Sequence, residues 1–309
     1  MYVLTFPGQG SQSVGMLTEL AAEYPIVQQT FAEASEVLGY DAWQLASQGP
    51  EAQLNETEFT QPVLLAADVA VYRCWQSHHP VLPHFMAGHS LGEYAALVCT
   101  GALRFSDAIR LVAFRGKFMA EAVPSGQGAM AAIVGLEDSV LLECCHEAQN
   151  LGLVSPANFN SIGQTVVAGE KAAVEKCVEL AKTRGAKIAK LIPVSVPSHC
   201  ALMKNAQLKL KPYLDQVTLN IPEIPVIQNV DVHSHTDSAI IKKMLVEQLV
   251  APVRWVETIQ YCIAQGITKI IECGPGKVLT GLAKRIDRTV VAVNMDTAAA
   301  ISENLKLIA

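Results

Sequence analysis

The sequence predicts an α/β fold with a largely parallel sheet and a smaller inserted domain. Short apolar runs alternate with helix-length amphipathic segments at both ends of the 309-residue chain. The middle of the chain shows a different order of elements. Half of the residues (50%) are hydrophobic, so a chain of this length can bury a sizeable core.

Elements at the two ends of the chain follow one pattern. They are, in order, a strand at 3–6, a helix at 22–38, an apolar run at 63–75, a strand at 85–87, a helix from about Leu91, a strand at 267–273 and a helix at 278–285. Since the C-terminal part repeats the N-terminal alternation, both ends are expected to belong to one sheet.

The middle of the chain reads as β-α-β-β-α-β. The elements are a strand at 130–134, a helix at 138–148, strands at 153–159 and 165–168, a helix at 172–183 and a strand at 187–192. This order is the ferredoxin-like plan. We therefore expect a small domain at 125–195 inserted into a large domain formed by 1–124 and 196–309, with a ligand cleft between them.

Composition excludes several classes of protein. A formal charge of −6 argues against a general nucleic-acid binder. No apolar run approaches the roughly 18 residues of a membrane span, and the first residues lack the basic start of a signal peptide. The eight cysteines form no C-x-x-C pair, which favours reduced thiols. We expect a cytoplasmic monomer with no cofactor and no nucleic-acid or membrane partner.

Gly88-His89-Ser90-Leu91-Gly92 is a G-x-S-x-G motif between an apolar run and a helical segment. This context is typical of a nucleophile elbow, in which glycines permit a sharp strand-to-helix turn that exposes the serine hydroxyl. The helix N-terminus directs unpaired N–H groups towards developing negative charge, so the Leu91 N–H is a candidate oxyanion donor. The alternative is a chance glycine turn with Ser90 as helix cap.

A serine needs a base, and His199 is the best placed of the eight histidines. It follows a strand-like run just after the predicted insert, where the chain returns to the large domain. A structural histidine is the alternative. No acidic residue has the strand-end setting of a triad member, so we predict a Ser90–His199 dyad with a backbone or amide carbonyl orienting the imidazole.

Gln9 lies in a glycine turn after the first strand, and its N–H could complete an oxyanion hole with that of Leu91. A plain tight turn is the alternative. The turn lacks the third glycine of a dinucleotide loop, and Gly274-Pro275-Gly276-Lys277 lacks the full Walker pattern.

Three further features have plain structural interpretations. Asp231, His233, His235 and Asp237 alternate as metal ligands can, but lack a recurring fourth-ligand spacing, so we predict no metal site. Cys200 adjoins His199, but adjacent residues of an extended chain face opposite ways. From spacing alone, Arg115 is a solvated helix arginine.

The motifs together resemble the bacterial malonyl-CoA:acyl carrier protein transacylases of type II fatty acid synthesis. The matching segments are FPGQGSQ at the start, GHSLGEY around Ser90, RGKFM at Arg115, NFNSIGQ at 158–164, PVSVPSHCALM around His199 and GPGKVLTGL near the end. The resemblance implies an α/β-hydrolase-like large domain with a ferredoxin-like insert. It also implies malonyl-CoA and acyl carrier protein as partners, a main-chain carbonyl at Gln248 as the His199 partner, and Arg115 as ligand of the malonyl carboxylate. We assign Gln248, with Arg115, to the substrate-binding set.

An acidic carrier protein requires a basic docking rim on this acidic enzyme. The candidates for carrier or CoA binding are Lys117, Lys190, Lys204, Lys277, Lys284 and Arg285. The resemblance implies a basic residue near the CoA phosphates at the position that Ile188 occupies here. Ile188 therefore departs from the pattern, and Lys190 is the basic residue two positions further on. Ordinary solvated side chains are the alternative.

Two other functions use the same residues. A serine esterase or thioesterase would release the acyl group to water, and the absence of an acidic triad member argues against it. A non-catalytic acyl-CoA-binding or scaffold protein would not need both Ser90 and His199.

Overall fold

The computed structural model describes residues 1–194 and 196–308. Ser195 and Ala309, with which two of the predicted domain ranges end, lie outside the described residues. The strands are β1 (Tyr2–Phe6), β2 (Phe85–Gly88), β3 (Gly128–Val134), β4 (Val154–Ser161), β5 (Gln164–Glu170), β6 (Ile188–Leu191), β7 (Val226–Ile227), β8 (Lys269–Glu272) and β9 (Val291–Asn294). The helices are α1 (Thr18–Glu23), α2 (Ile26–Leu38), α3 (Ala42–Gln48), α4 (Glu51–Leu54), α5 (Thr57–Gln76), α6 (Gly92–Cys99), α7 (Phe105–Glu121), α8 (Asp138–Ala148), α9 (Lys171–Thr183), α10 (Lys204–Gln216), α11 (Ser238–Glu247), α12 (Trp255–Ala264), α13 (Val278–Ile286) and α14 (Ala298–Ile308).

A parallel sheet joins the two ends of the chain. Its strand order is β7-β2-β1-β8-β9, and every pair in it is parallel. Strand β1 lies in the centre, and all five of its residues are buried. Because successive side chains point to opposite faces, Leu4 and Phe6 enter one hydrophobic core and Val3 enters another. The predicted α/β class and shared sheet are confirmed.

A separate antiparallel sheet forms in the middle of the chain. Its strand order is β4-β5-β3-β6, and α8 and α9 complete a β-α-β-β-α-β succession of elements. This unit has its own core, in which Ile133 and Val167 of the sheet pack with Leu141 and Val174 of the two helices. The order of elements is the one that the sequence predicts.

Strand β4 ties the antiparallel unit to the rest of the chain. Asn158 forms an isolated parallel bridge with Val253. The Phe159 N–H donates to the Val253 carbonyl, and the Val253 N–H donates to the Ala157 carbonyl, both over 2.9 Å. These bonds join β4 to the segment that precedes α12.

Two expectations about helices need correction. The helix predicted at 22–38 is two helices, because α1 ends at Glu23 and Pro25 begins α2 as its N-cap residue. The apolar run at 63–75, which the alternation indicates as strand-like, lies instead inside the single long helix α5. Within residues 1–194 and 196–308, no helix is both long enough and apolar enough to cross a membrane.

Candidate active site

Ser90 lies at a sharp turn between β2 and α6. Its φ of 53° is in the left-handed region, which is costly for a residue other than glycine. A Cβ atom on Gly88 would lie 1.8 Å from the Gly92 carbonyl carbon, and one on Gly92 would lie 2.0 Å from the Phe6 carbonyl oxygen. Both glycines are therefore required by close backbone approach. The structure shows the strand-to-helix turn that the G-x-S-x-G pattern predicts.

His199 reaches Ser90 from the loop that follows β6. Its Nε2 lies 2.7 Å from the Ser90 Oγ, and its Nδ1 lies 2.7 Å from the Gln248 carbonyl oxygen. A carbonyl can only accept, so Nδ1 donates to it and Nε2 is left to accept the Ser90 hydroxyl proton. Among the described residues, no carboxylate is hydrogen-bonded to His199.

Arg115 projects from α7 into the same site, although spacing alone suggested a solvated helix position. It is 1% exposed, and its Nη2 donates to the Ser90 Oγ over 3.0 Å. Nη1 donates to the Gln61 Oε1 over 2.8 Å, and Nη2 also donates to the Gln248 Oε1 over 2.9 Å. Each of these acceptors is an uncharged oxygen. In the described part of the chain, the buried guanidinium has no carboxylate in direct contact.

Burial controls the charges of the site. Desolvation, followed by the positive charge of Arg115, lowers the pKa of His199 to about 3. Desolvation also lowers the pKa of Arg115 from its ordinary value, while the nearby Glu93 charge acts in the opposite direction. His199 is therefore neutral near pH 7 and able to accept a proton, whereas an arginine keeps its charge.

Gln9 and Leu91 both line the cavity at Ser90. Neither backbone N–H has a hydrogen-bond partner among residues 1–194 and 196–308. The Gln9 side chain is anchored instead, since its Nε2 donates to the Thr57 Oγ1 over 3.2 Å. Two backbone donors thus remain available near the serine.

The cavity above Ser90 has a volume of about 220 Å³. Polar groups of both units line it, among them Asn158 and Asn160 of β4. Met119 and Leu279 are among its apolar walls. Its size and mixed lining suit a small acyl group on a polar arm.

Gln248 lies behind the Ser90 cavity, and its main-chain carbonyl faces the His199 Nδ1, as the resemblance implies. It is fully buried and does not line the cavity. Its Oε1 accepts from Arg115, and its Nε2 donates to the Ser90 carbonyl over 3.0 Å and to Glu93 over 2.9 Å. The Gln248 amide thus joins Arg115, Ser90 and Glu93 behind the cavity.

Sequence reasoning missed Gln61, Glu93 and Asn229. Asn229 follows the two-residue strand β7, and its Oδ1 accepts from the Ser90 N–H over 2.8 Å. Neither Gln61 nor Asn229 lies in a pattern that marks a site. Glu93 falls within the GHSLGEY segment, but an acid in the first turn of a helix is ordinary.

The six predicted basic residues are all exposed, and none lines the Ser90 cavity. Lys277, Lys284 and Arg285 accompany α13, whose Val278, Leu279 and Leu282 do line it. Lys190 precedes Ile192 and Val194, which also line it, and Lys117 follows Arg115 along α7. Lys204 borders a separate groove. The structure thus brings some, and not all, of the six near the cavity.

The remaining candidates form no second site. The Cys200 thiol donates to the Pro197 carbonyl, and burial raises its pKa to about 11. His235 pairs with Asp231 over 2.7 Å. Within the part of the chain that the structure describes, no group of three or more His, Cys, Asp or Glu side chains could hold a metal ion.

Comparison with known proteins identifies close relatives. The acyl transferase domain family matches residues 2–303. A malonyl CoA-acyl carrier protein transacylase of Escherichia coli O157:H7 is 55% identical, over 99% of both chains. The structure of a malonyl CoA-acyl carrier protein transacylase from Coxiella burnetii has a TM-score of 0.98 at 51% identity and covers 99% of this chain and 97% of that one. A malonyl-transacylase in complex with a type II PKS acyl-carrier protein has a TM-score of 0.98 at 52% identity and covers 99% of both chains.

Proposed function

Since the chain belongs to the acyl transferase domain family, among its malonyl CoA-acyl carrier protein transacylases, we propose that it moves malonyl from malonyl-CoA to the phosphopantetheine thiol of acyl carrier protein. The reaction passes through a malonyl ester on Ser90 and serves fatty acid biosynthesis. One observation carries the assignment: the Ser90 Oγ lies 2.7 Å from the His199 Nε2 and 3.0 Å from the Arg115 Nη2. A base and an anion-binding group thus meet at one hydroxyl.

The first half-reaction acylates the serine. His199 Nε2 takes the hydroxyl proton while Oγ attacks the thioester carbonyl, and the Gln248 carbonyl holds the imidazole in the required tautomer. The N–H groups of Gln9 and Leu91 hold the oxyanion, and each such donor is typically worth about 3 kcal/mol. Collapse of the tetrahedral intermediate breaks the C–S bond, and the imidazolium returns its proton to the CoA sulfur.

The second half-reaction runs the same steps with the carrier thiol. His199 removes the proton of the phosphopantetheine thiol, the sulfur attacks the malonyl ester, and Ser90 Oγ leaves and recovers the proton. The exchange of one thiol for another at a covalent intermediate gives ping-pong kinetics. A dyad oriented by a backbone carbonyl, with no carboxylate bonded to His199 in the described residues, favours this transfer over a triad esterase.

Arg115 selects a carboxylated acyl group. In the described part of the chain its buried guanidinium donates hydrogen bonds only to neutral oxygens, so a malonyl carboxylate supplies the missing anion in bidentate geometry. Pairing also weakens the positive charge that lowers the pKa of His199. The substrate carboxylate therefore makes the base stronger as well as binding the substrate.

An exposed basic rim docks the carrier protein and the CoA phosphates. It comprises Lys117, Lys190, Lys204, Lys277, Lys284 and Arg285. Its centre is α13, which lines the cavity through other residues and carries Lys284 and Arg285, with Lys277 as its N-cap residue. Long-range attraction between this rim and an acidic partner speeds association and weakens with salt.

The two sheets support a division into two domains. The large domain, 1–124 and 196–309, is α/β-hydrolase-like, with the serine on a strand-to-helix turn of a parallel sheet. The insert, 125–195, is ferredoxin-like, since it has the β-α-β-β-α-β order and one antiparallel sheet. We expect the enzyme to act as a cytoplasmic monomer.

A transfer assay with and without acceptor tests the function. The protein is incubated with malonyl-CoA alone and with malonyl-CoA plus the phosphopantetheine form of acyl carrier protein. We expect rapid malonylation of the carrier and slow release of malonate when the carrier is absent. Equal release of malonate under both conditions would instead indicate a thioesterase.

A further inference from the structure

Glu93 is a fully buried acid directly behind the serine. It lies in the first turn of α6, three residues after Ser90, and is 0% exposed. It does not line the cavity. Burying a carboxylate is costly unless donors satisfy it, so its partners indicate what it is for.

Three donors from two segments converge on this carboxylate. Its Oε2 accepts from the Asn229 N–H and from the Gln248 Nε2, each over 2.9 Å. Its Oε1 accepts from the Gln228 Nε2 over 3.4 Å. All three donors are uncharged, and they come from the loop after β7 and from the end of α11.

The Gln248 contact leads to both reactive side chains. The same amide that donates to Glu93 accepts from the Arg115 Nη2 through its Oε1, over 2.9 Å. The carbonyl of Gln248 accepts from the His199 Nδ1 over 2.7 Å. Because the Glu93 carboxylate binds the Nε2 of the Gln248 amide, the Oε1 of the same amide is directed at the Arg115 guanidinium.

The Asn229 contact leads to the serine turn. The Asn229 Oδ1 accepts from the Ser90 N–H over 2.8 Å, and its Nδ2 donates to the Gly88 carbonyl over 2.7 Å. These bonds fasten a turn whose central residue has an unfavourable positive φ. Glu93 accepts from the Asn229 backbone N–H, and so keeps the Asn229 side chain in position to bond the Ser90 turn.

We propose that Glu93 is a positioning residue for the transfer reaction, orienting Gln248, and through it His199 and Arg115, while holding Asn229 against the Ser90 turn. The inference rests on the proposed function, because it assigns a role relative to Ser90 chemistry. It differs from a structural role in which Glu93 only complements the N-terminus of α6.

Glu93→Gln is the informative substitution. It keeps the shape of the side chain, but an amide directs its own N–H groups at some of the donors that now converge on the carboxylate. Burial raises the pKa of Glu93 to about 7, so an assay at pH 8 compares the ionised carboxylate with the amide. A 1 Å displacement of a catalytic group can cost about a hundredfold in rate.

The experiment measures acylation by malonyl-CoA and by acetyl-CoA, using intact mass after rapid quenching, for wild type, Glu93→Gln, Gln248→Met and the double variant. We expect Glu93→Gln to lower the malonylation rate at saturating malonyl-CoA by roughly a hundredfold and the malonyl-to-acetyl ratio by roughly tenfold. Because both residues act through one amide, the double variant should lose less than the product of the two single effects.

Glu272→Gln is the matched control. Glu272 is also 0% exposed, and its oxygens accept from the Leu279 and Thr280 N–H groups and not from the Ser90 network. Its substitution should lower thermal stability and leave the malonyl-to-acetyl ratio at the wild-type value.

Every other result of the experiment either supports or overturns the positioning role of Glu93. Wild-type acylation per folded Glu93→Gln molecule, or single effects that multiply fully, would overturn the positioning role. If Glu93→Gln does not fold, Glu93→Asp decides, because it keeps the charge and withdraws the carboxylate from the Gln248 amide: a lowered malonyl-to-acetyl ratio supports the role and an unchanged ratio overturns it. A wild-type protein that gains no malonyl on Ser90 would overturn the proposed function as well, which is a distinct result.

Discussion

The Arg115 Nη2 donates a hydrogen bond to the Ser90 Oγ over 3.0 Å, so the group that we propose as the ligand of the substrate anion also touches the nucleophile. The arginine is 1% exposed, so its guanidinium has little contact with bulk water. Its environment is therefore incomplete without an anion beside Ser90. This relationship makes the choice of acyl group and the chemical step depend on the same side chain.

Arg115→Ala should abolish the preference for malonyl. An acetyl group leaves the buried charge without its partner, and breaking a buried pair costs about 3 to 5 kcal/mol, which is a hundredfold or more. We expect the malonyl-to-acetyl ratio of kcat/KM to fall by about that factor, measured side by side. Arg110→Ala is the control, because Arg110 lies on the same helix with an exposed side chain that pairs with Asp107. Equal ratios in wild type and Arg115→Ala would refute the role.

Burial of His199 should make stability depend on acidity. Its folded pKa of about 3 lies below its ordinary 6.5, so between these values the unfolded chain binds a proton that the folded protein does not. The stabilisation that comes from burying His199 in its neutral form is complete above pH 6.5 and is lost as the pH falls towards 3. Between pH 7 and pH 5, wild type should lose about 2 kcal/mol more free energy of unfolding than His199→Gln. Denaturant titrations at both pH values measure this, and parallel losses would contradict it.

Gly92→Ala should disrupt the turn at the serine. Its Cβ would lie 2.0 Å from the Phe6 carbonyl oxygen, and overpacking of backbone against backbone costs about 1 to 3 kcal/mol or more. We expect a lower melting temperature and loss of Ser90 acylation in the folded fraction.

Gly281→Ala is the comparison for that variant, since Gly281 lies in α13 and a Cβ added there would meet no atom of another segment within 4 Å. Alanine in an open helical site should be neutral or stabilising by about 0.5 to 1 kcal/mol. Similar melting temperatures for the two variants would show that the turn tolerates a side chain.

Charge reversal on α13 should weaken docking of the carrier protein. Lys284→Glu with Arg285→Glu replaces two exposed cations on the helix that lines the cavity. We expect the KM for acyl carrier protein to rise at least tenfold at low salt, and less at high salt, because long-range attraction is screened.

A variant with the same change in net charge controls for this effect. Lys182→Glu with Lys306→Glu alters exposed lysines on α9 and α14, neither of which lines the cavity. Its KM should match that of wild type. If both double variants behave alike, the α13 rim is not the docking surface.

Local patterns were enough to predict the serine turn and the succession of elements around it. Gly88 is needed because a Cβ there would meet the backbone of Gly92 within the same motif, so the pattern itself carries this constraint, whereas Gly92 is needed by the approach of Phe6 at the end of β1. His199 could be selected because the chain returns to the large domain there.

Long-range contacts explain what the sequence could not show. Arg115 is a helix residue by pattern, and only the packing of α7 buries it beside Ser90. Asn229 follows a two-residue strand with no periodicity, yet it clamps the serine turn. The contacts of the Gln248 side chain also could not be predicted, because its amide and carbonyl satisfy buried partners from three other segments.

Peptide mapping of the acyl-enzyme tests the account most directly. Wild type and Ser90→Ala are each mixed with malonyl-CoA, quenched and digested, and the malonyl group is located by mass spectrometry. We predict malonyl on the wild-type peptide at Ser90, none on Ser90→Ala, and loss of the adduct when carrier thiol is added, with an equal gain on the carrier. Transfer to the carrier by Ser90→Ala at the wild-type rate, or a malonyl group on another residue such as Cys200, would contradict it.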